Sequence, residues 1–266
     1  MARGIQSIVL GFKLVEVIAE AGVPLSLKAI SALSGMSPSK ARMYLISFIE
    51  TGLVTQNPES ALYGLGPYAL RLGARAMQRM ELVSVATEAM NSLQQQTNAL
   101  VLLSAWNAHG VTIVSRSDGA EEPPPLQFPI GGSASLGSTA TGHVFLAFGP
   151  QEPIWRHLHN ELAALGLTRA EQKQRVQELE SLAADVRERR IALTDPISYA
   201  SGVTVSGYAA LAAPVFDVVQ RLRYAITLVY QTGHDKRRRN KFTRLTLLAA
   251  ERLSHLAGAA ASGAPR

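Results

Sequence analysis

The stretch GMSPSKARMYLISFIETGLV, Gly35 to Val54, decides how the rest of the chain is read. Ser37 stands where a helix cap belongs, and Pro38 follows at the first helical position, where a missing N–H costs nothing. Ala41, Leu45, Phe48 and Ile49 then recur at helical spacing, and Gly52 ends the run. Ser39, Lys40, Arg42, Met43 and Ser47 lie away from that apolar stripe. Small polar and basic side chains along one helix face suit a DNA groove, where Lys40 and Arg42 reach phosphates or guanine edges. The same residues hold a second reading, because Ser37 and Lys40 are spaced as nucleophile and base.

The flanking sequence favours the first reading. Upstream, Ile5, Ile8, Phe12, Val15 and Ile18 recur at helical spacing until Gly22-Val23-Pro24. Ser26 caps a short second helix with Ile30 and Leu33 on its inner face, and Gly35 breaks it. Two short helices joined by a tight Gly-containing turn form a helix-turn-helix. Downstream, Leu53-Val54-Thr55 and Ala61-Leu62-Tyr63 read as strands around the turn Asn57-Pro58-Glu59-Ser60, giving a β-hairpin wing. The DNA-facing candidates are therefore Ser26, Ser37, Ser39, Lys40, Arg42, Met43, Ser47 and, at the wing, Asn57.

Charge is unevenly spread over the 266 residues. Residues 1–80 carry eight Lys/Arg against four Asp/Glu, residues 81–219 eight against fourteen, and residues 220–266 ten against two. A basic first segment beside an acidic middle suits a polyanion partner for the former and a separate task for the latter. With 47% hydrophobic residues the chain can bury proper cores, and its length predicts two domains. No apolar run is long enough to span a membrane, and the apolar start is interrupted by Lys13, Glu16 and Glu20. The absence of cysteine excludes disulfides, thiolate nucleophiles and Cys-based zinc sites, and points to the cytoplasm.

The run from Pro24 to Ala76 resembles the DNA-binding domain of the isocitrate lyase regulator (IclR) family. Gly52-Leu53-Val54 and Tyr63-Gly64-Leu65-Gly66 match that family's Gly-Leu-Val and Tyr-x-Leu-Gly. The recognition-helix Arg usual in the family aligns with Met43, and its His neighbour with Arg42. A basic side chain is thus displaced by one residue, about 100° around the helix. Leu10 occupies the position of another family Arg. Phosphate contact by Arg42 follows more directly than base readout.

Pro67 opens a longer helix with Ala69, Leu72, Ala76, Met80 and Val83 along one stripe, running towards Met90. Beyond residue 97 the pattern changes. ALVLLSAW and VTIVSR read as strands around the turn Asn107–Gly110, and Leu126-Gln127-Phe128 as a short strand. GGSASLGSTATGHVFLAF reads as a loop opening a helix, and Thr168–Glu171 as a capping box. YAALAAPVFD and RYAITLVY are late strands, HDKRRRNK is a solvated loop, and a Leu/Ala-rich helix closes the chain. The expected class is mixed α/β (α+β): a winged helix-turn-helix over 1–66, a linker helix over 67–90 and an α+β domain over 91–266.

GSTATGHVFLA and Ala212–Asp217 (AAPVFD) extend the resemblance to the family's GAF-like effector-binding domain. The loop Gly131–Thr141 offers hydroxyls and free backbone N–H groups at a helix start, which suits a carboxylate. By the resemblance, effector contacts fall on Ala140, Thr141, Tyr208, Ala210, Thr227 and Val229, and Tyr199 precedes the strand that closes the pocket. Apolar walls with a few hydroxyls imply a small organic acid or an aromatic metabolite. The family also implies a homodimer or dimer of dimers on a palindromic or repeated operator.

Against this stands an enzyme reading. Ser37-x-x-Lys40, Ser117-Asp118-Gly119 and Gln231-Thr232-Gly233 follow the order of the penicillin-recognising motifs Ser-x-x-Lys, Ser-Asp-Asn and Lys-Thr-Gly. Gly119 lacks the Asn side chain, and Gln231 lacks the cation that would meet a substrate carboxylate. His157 and His159 are splayed if helical, while His109, His143, His234 and His255 read as isolated surface or turn residues, so no metal site is assigned. No cofactor is implied. The expectation is a DNA-binding transcriptional regulator and not an enzyme. The alternatives are a serine hydrolase using Ser37 and Lys40, or a ligand-binding protein without sequence-specific DNA readout.

Overall fold

The computed structural model describes the backbone of residues 5–78, 81–120, 128–198, 203–233 and 236–262, and their side chains except in 76–78, 81–85 and 258–262. The chain divides into two compact units, Met1–Met80 and Glu81–Arg266.

In the first unit α1 (Gln6–Ala21), α2 (Leu27–Ser34) and α3 (Pro38–Glu50) precede a hairpin of β1 (Val54–Gln56) and β2 (Tyr63–Leu65), and α4 (Pro67–Gln78) follows. Ser26 caps α2 by accepting from the Ala29 N–H at 3.2 Å. Gly35, at φ +70°, makes the left-handed turn into α3 that a side chain would strain. Leu25 exchanges backbone hydrogen bonds of 2.9 and 2.8 Å with Tyr63, stitching the entry to α2 onto the wing. The core comprises Leu14, Ile18, Ile30, Ala41, Leu45, Val54 and Tyr63.

Three inner faces differ from the sequence expectation. On α1 the buried set is Gly11, Leu14 and Ile18, while Ile5, Ile8 and Phe12 are exposed. The cause is Gly11: its missing side chain lets the rings of Tyr44 and Phe48 approach, which turns Leu14 inward. On α2 Leu33 is exposed and Ser31 takes the inner position. On α3 Ile49 is 36% exposed, and half-buried Tyr44 and Phe48 complete the stripe of Ala41 and Leu45.

In the second unit α5 (Glu81–Thr97) leads into β3 (Leu100–Asn107) and β4 (Gly110–Ser117). After β5 (Ser133–Ala134) come α6 (Ala140–Phe148), α7 (Gln151–Ala164) and α8 (Arg169–Arg189). Then follow β6 (Ala192–Thr194), the short pair β7 (Ile197–Ser198) and β8 (Thr204–Val205), β9 (Tyr208–Phe216), β10 (Leu222–Gln231) and α9 (Lys236–Ser262). The main sheet is antiparallel in the order β5-β4-β3-β10-β9-β6. It is sandwiched: α5 and α9 cover one face and α6, backed by α7 and α8, the other. Alternate residues of β10 show this, since Thr227 meets Thr141 of α6 while Tyr230 packs edge-on against Phe242 of α9. Strands covered on both faces read as continuous apolar runs, which is why β3, β9 and β10 lack alternation.

The mixed α/β class, with an N-terminal helix-turn-helix unit and a C-terminal α+β unit, matches the sequence expectation. The capping box at Thr168 and Glu171 is present. Of the expected 67–90 helix, helical backbone covers Pro67–Gln78 and continues from Glu81, with residues 79 and 80 outside the described residues. The short strand read at Leu126-Gln127-Phe128 likewise falls mostly outside them. The basic run Lys236–Lys241, read as a solvated loop, is the first turn and a half of α9.

Leu45 is fully buried and Ile49 is not, so the two test the α3 packing. Leu45→Ala is expected to lower unfolding free energy by about 2–5 kcal/mol and Ile49→Ala by under ~1 kcal/mol, read by denaturant titration. Equal losses would show that the inner face has been assigned to the wrong residues.

Candidate functional site

Ser39, Lys40, Arg42, Met43 and Ser47 are all exposed on α3, and Met43 is 67% exposed. Among the described residues Lys40 and Arg42 have no hydrogen-bond or ion-pair partner. Ser37 occupies the N-cap position, but its hydroxyl makes no cap hydrogen bond. The Ser47 hydroxyl bonds weakly to the Met43 carbonyl at 3.4 Å. Ser26 is occupied as a cap, and the Asn57 side-chain oxygen accepts from Glu59 and Ser60 N–H groups at 2.9 Å, closing the wing turn. The α3 residues thus share one outward face, whereas Ser26 and Asn57 are engaged locally. Ile46, 48% exposed on that face, belongs to neither the apolar stripe nor the polar set read from the sequence.

The second unit holds a cavity of about 600 Å³ including its mouth, between α6 and the sheet. Ala140, Thr141, Ala210, Thr227 and Val229 line it together. Tyr208 lies on the same sheet outside the lining, its hydroxyl 3.3 Å from Gln231 Nε2, and Tyr199 is outside the described residues. Leu102, Ile113, Phe128, Thr194 and Ile197 also line it and were missed. Leu102, Ile113, Thr194 and Ile197 come from four different strands and Phe128 from the loop before β5, so only the pairing of distant segments brings them together. No described lining residue is charged. Thr141 and Thr227 share a buried hydroxyl–hydroxyl bond of 2.8 Å, and the Thr194 Oγ1 is buried without a partner among the described residues.

The loop before α6 corrects the sequence expectation of free N–H groups. Leu136 N donates to Glu161 Oε2 at 3.0 Å and Gly137 N to Glu161 Oε1 at 3.5 Å, and Ser135 Oγ also donates to that carboxylate. Ser138 N is held by Ser135 Oγ, and Gly142 N by the Thr139 cap. The loop's donors therefore point largely at Glu161 of α7, on the side away from the cavity. Gly142 is required for this closeness, since a Cβ there would lie 2.1 Å from the Ser135 carbonyl.

His143, expected at a surface or turn, is buried on α6, its Nε2 3.4 Å from the Gly137 carbonyl and its Nδ1 unpartnered among the described residues. Burial first, then the nearby Arg175 charge, lower its pKa to about 4 against the opposing pull of the Gly137 bond. At neutral pH it is an uncharged imidazole. His157 stacks edge-on against Trp106 and His159 Nδ1 bonds the Trp155 carbonyl, so both serve packing and the helix. No group of three or more His, Cys, Asp or Glu among the described residues is arranged to hold a metal.

The three enzyme-like motifs are divided between the units. Ser37 and Lys40 lie in the first, while in the second Ser117 bonds Asn91, Asp118 pairs with Arg116 and Gln231 bonds Tyr208. Among the described residues no helix is long and apolar enough to cross a membrane.

Comparison with known proteins matches residues 7–58 to the IclR helix-turn-helix domain and residues 74–255 to the bacterial transcriptional regulator IclR C-terminal domain. The chain is 29% identical over 238 residues to the glycerol operon regulatory protein of Streptomyces coelicolor, covering 88% of this chain and 86% of that protein. It is 25% identical over 159 residues to the transcriptional repressor IclR of Escherichia coli K12, a match spanning 59% of this chain and only 58% of that repressor. The fold is similar to that of an IclR homologue from Microbacterium hydrocarbonoxydans crystallised with 4-hydroxybenzoate, with a TM-score of 0.73, 15% identity and coverage of 94% of this chain and 98% of that one.

His143 links the second unit to pH. The unfolded chain takes up its proton near pH 6.5 and the folded chain only near pH 4, so stability is complete above about 6.5 and lost as pH falls towards 4. From this residue alone, unfolding free energy should drop by about 2 kcal/mol between pH 7 and pH 5. His143→Leu should flatten that fall in denaturant titrations, and identical pH profiles would exclude His143 as its source.

Proposed function

The chain belongs to the IclR family of bacterial transcriptional regulators, and on that premise we propose a cytoplasmic operator-binding protein whose DNA affinity is set by a small molecule in the second unit. The observation that carries the effector half is the cavity: Thr hydroxyls set in an otherwise apolar, uncharged wall. The Thr141–Thr227 pair, the unpartnered Thr194 hydroxyl and the N–H groups of Ala140 and Thr141 meet one polar or monoanionic end of a ligand. The apolar remainder favours a flat aromatic or short aliphatic body over a polycarboxylate, whose second charge would be buried unpaired. 4-Hydroxybenzoate, the ligand of the M. hydrocarbonoxydans homologue, has this chemistry and is the first compound to test.

In the DNA half, Lys40 and Arg42 contact phosphate while Ser39, Met43, Ile46 and Ser47 face the groove. Met43, which stands where the family presents a basic residue, and Ile46 suit thymine methyl groups. A homodimer or dimer of dimers on paired half-sites completes the reading, with residues 67–90 connecting the units.

Arg42→Ala should weaken binding to all duplex sequences and reduce the salt slope of log affinity by about one. An unchanged slope would remove Arg42 from the phosphate contacts. In calorimetry, 4-hydroxybenzoate should bind the wild type and bind Ala140→Leu more weakly, because the larger side chain intrudes on the cavity. DNA and ligand should alter each other's affinity by the same factor. Equal binding by both proteins would put the ligand elsewhere.

A further inference from the structure

We infer that Glu161 and Arg175 are positioning residues for the effector cavity, together holding the Ser135–Gly137 turn from behind so that the first turn of α6 keeps its place in the cavity wall. The inference rests on the proposed effector role of that cavity, but its structural part stands on the turn alone.

Glu161 projects from α7 into the back of the turn and takes three donors: the Leu136 and Gly137 N–H groups and the Ser135 hydroxyl. A turn whose N–H groups converge is an anion site, and here the chain's own carboxylate fills it. Arg175 of α8 donates from Nη2 to the Gly137 carbonyl at 2.9 Å, so acidic and basic side chains grip opposite polarities of one peptide segment. Further along α8, Arg187 Nε donates to the Ala147 carbonyl at 2.7 Å, at the other end of α6. Arg175 and Arg187 are about 18 Å apart along the α8 axis, so this helix holds α6 at both ends. Between these fixed points Ala140 and Thr141 face the cavity. The turn itself reaches the cavity through Ala134 on one side and Thr139 on the other. Neither Glu161 nor Arg175 lines the cavity, so each acts on a ligand only through this segment.

The test is amide hydrogen exchange on the full-length protein, paired with calorimetry using 4-hydroxybenzoate. Glu161→Ala should raise exchange at Leu136 by about tenfold or more, the loss expected for a charge-assisted bond, and by less at Gly137, whose 3.5 Å contact is weaker. The amides of β9 and β10 should stay at wild-type rates. Glu161→Gln keeps one acceptor oxygen, so it should restore protection at one of the two amides and part of the ligand affinity. Arg175→Ala should accelerate the same turn and serves if the Glu161 variants fail to fold. Arg187→Ala, which frees only the far end of α6, should leave the turn at its wild-type rate. Wild-type exchange at Leu136 and Gly137 in both Glu161→Ala and Arg175→Ala would overturn the inference. So would accelerated exchange with undiminished 4-hydroxybenzoate affinity. If the wild type does not bind 4-hydroxybenzoate, the aromatic-ligand reading fails separately. Exchange at Ala140 and Thr141 in Glu161→Ala then decides the positioning role, acceleration supporting it and wild-type rates refuting it.

Discussion

A helix buried along its length must have its polar ends satisfied by protein, because water cannot reach them. α6 is in that position, buried from Ala140 to Ala147, and much of the second unit is arranged around its needs. Thr139 caps its start and Arg187 meets a carbonyl at its end. Gly142 lets the preceding loop lie against its first turn, and Thr141 ties it to Thr227 at the centre of the sheet. His143 is the residue that bears the cost, held neutral with one ring nitrogen unpartnered among the described residues. A buried imidazole in such a place is tolerable only because it gives up its proton.

The cavity follows from the same arrangement. Small residues at Ala140 and Ala210 leave space where α6 crosses the sheet, and the polar groups beside it are hydroxyls rather than charges. Glu161 of α7 and Arg175 of α8 hold the loop with charged groups that do not line the cavity. A wall held in this way can be apolar inside and still keep its backbone polar groups satisfied. In the proposed reading this division sets the kind of molecule the protein senses.

Local signals were legible and directional ones were not. Ser-Pro at Ser37 and Pro38, the left-handed Gly35 and the Thr168–Glu171 box each marked a helix end from neighbours in sequence. The joint placement of Ala140, Thr141, Ala210, Thr227 and Val229 followed from the family resemblance, not from spacing. What failed depended on distant partners. The α1 stripe was misphased because Gly11 was not credited with admitting Tyr44 and Phe48. The loop donors were read as free because Glu161 lies 25 residues from Leu136 in the chain. Leu33 and Ile49 were misread because apolar residues on a short helix can satisfy more than one face.

In the proposed reading, the exposed face of α3 recognises a particular DNA sequence. This recognition is tested most directly by fluorescence anisotropy of the purified protein with duplex DNA from upstream of its own gene and with a scrambled duplex of equal composition. Each titration is run at about 50 and 200 mM salt, a range over which phosphate contacts lose much of their strength. Binding to the upstream duplex should be tighter at both concentrations, with a gap that persists as salt weakens both. Equal affinity for the two duplexes, collapsing together with salt, would contradict this reading and leave α3 a basic surface without readout.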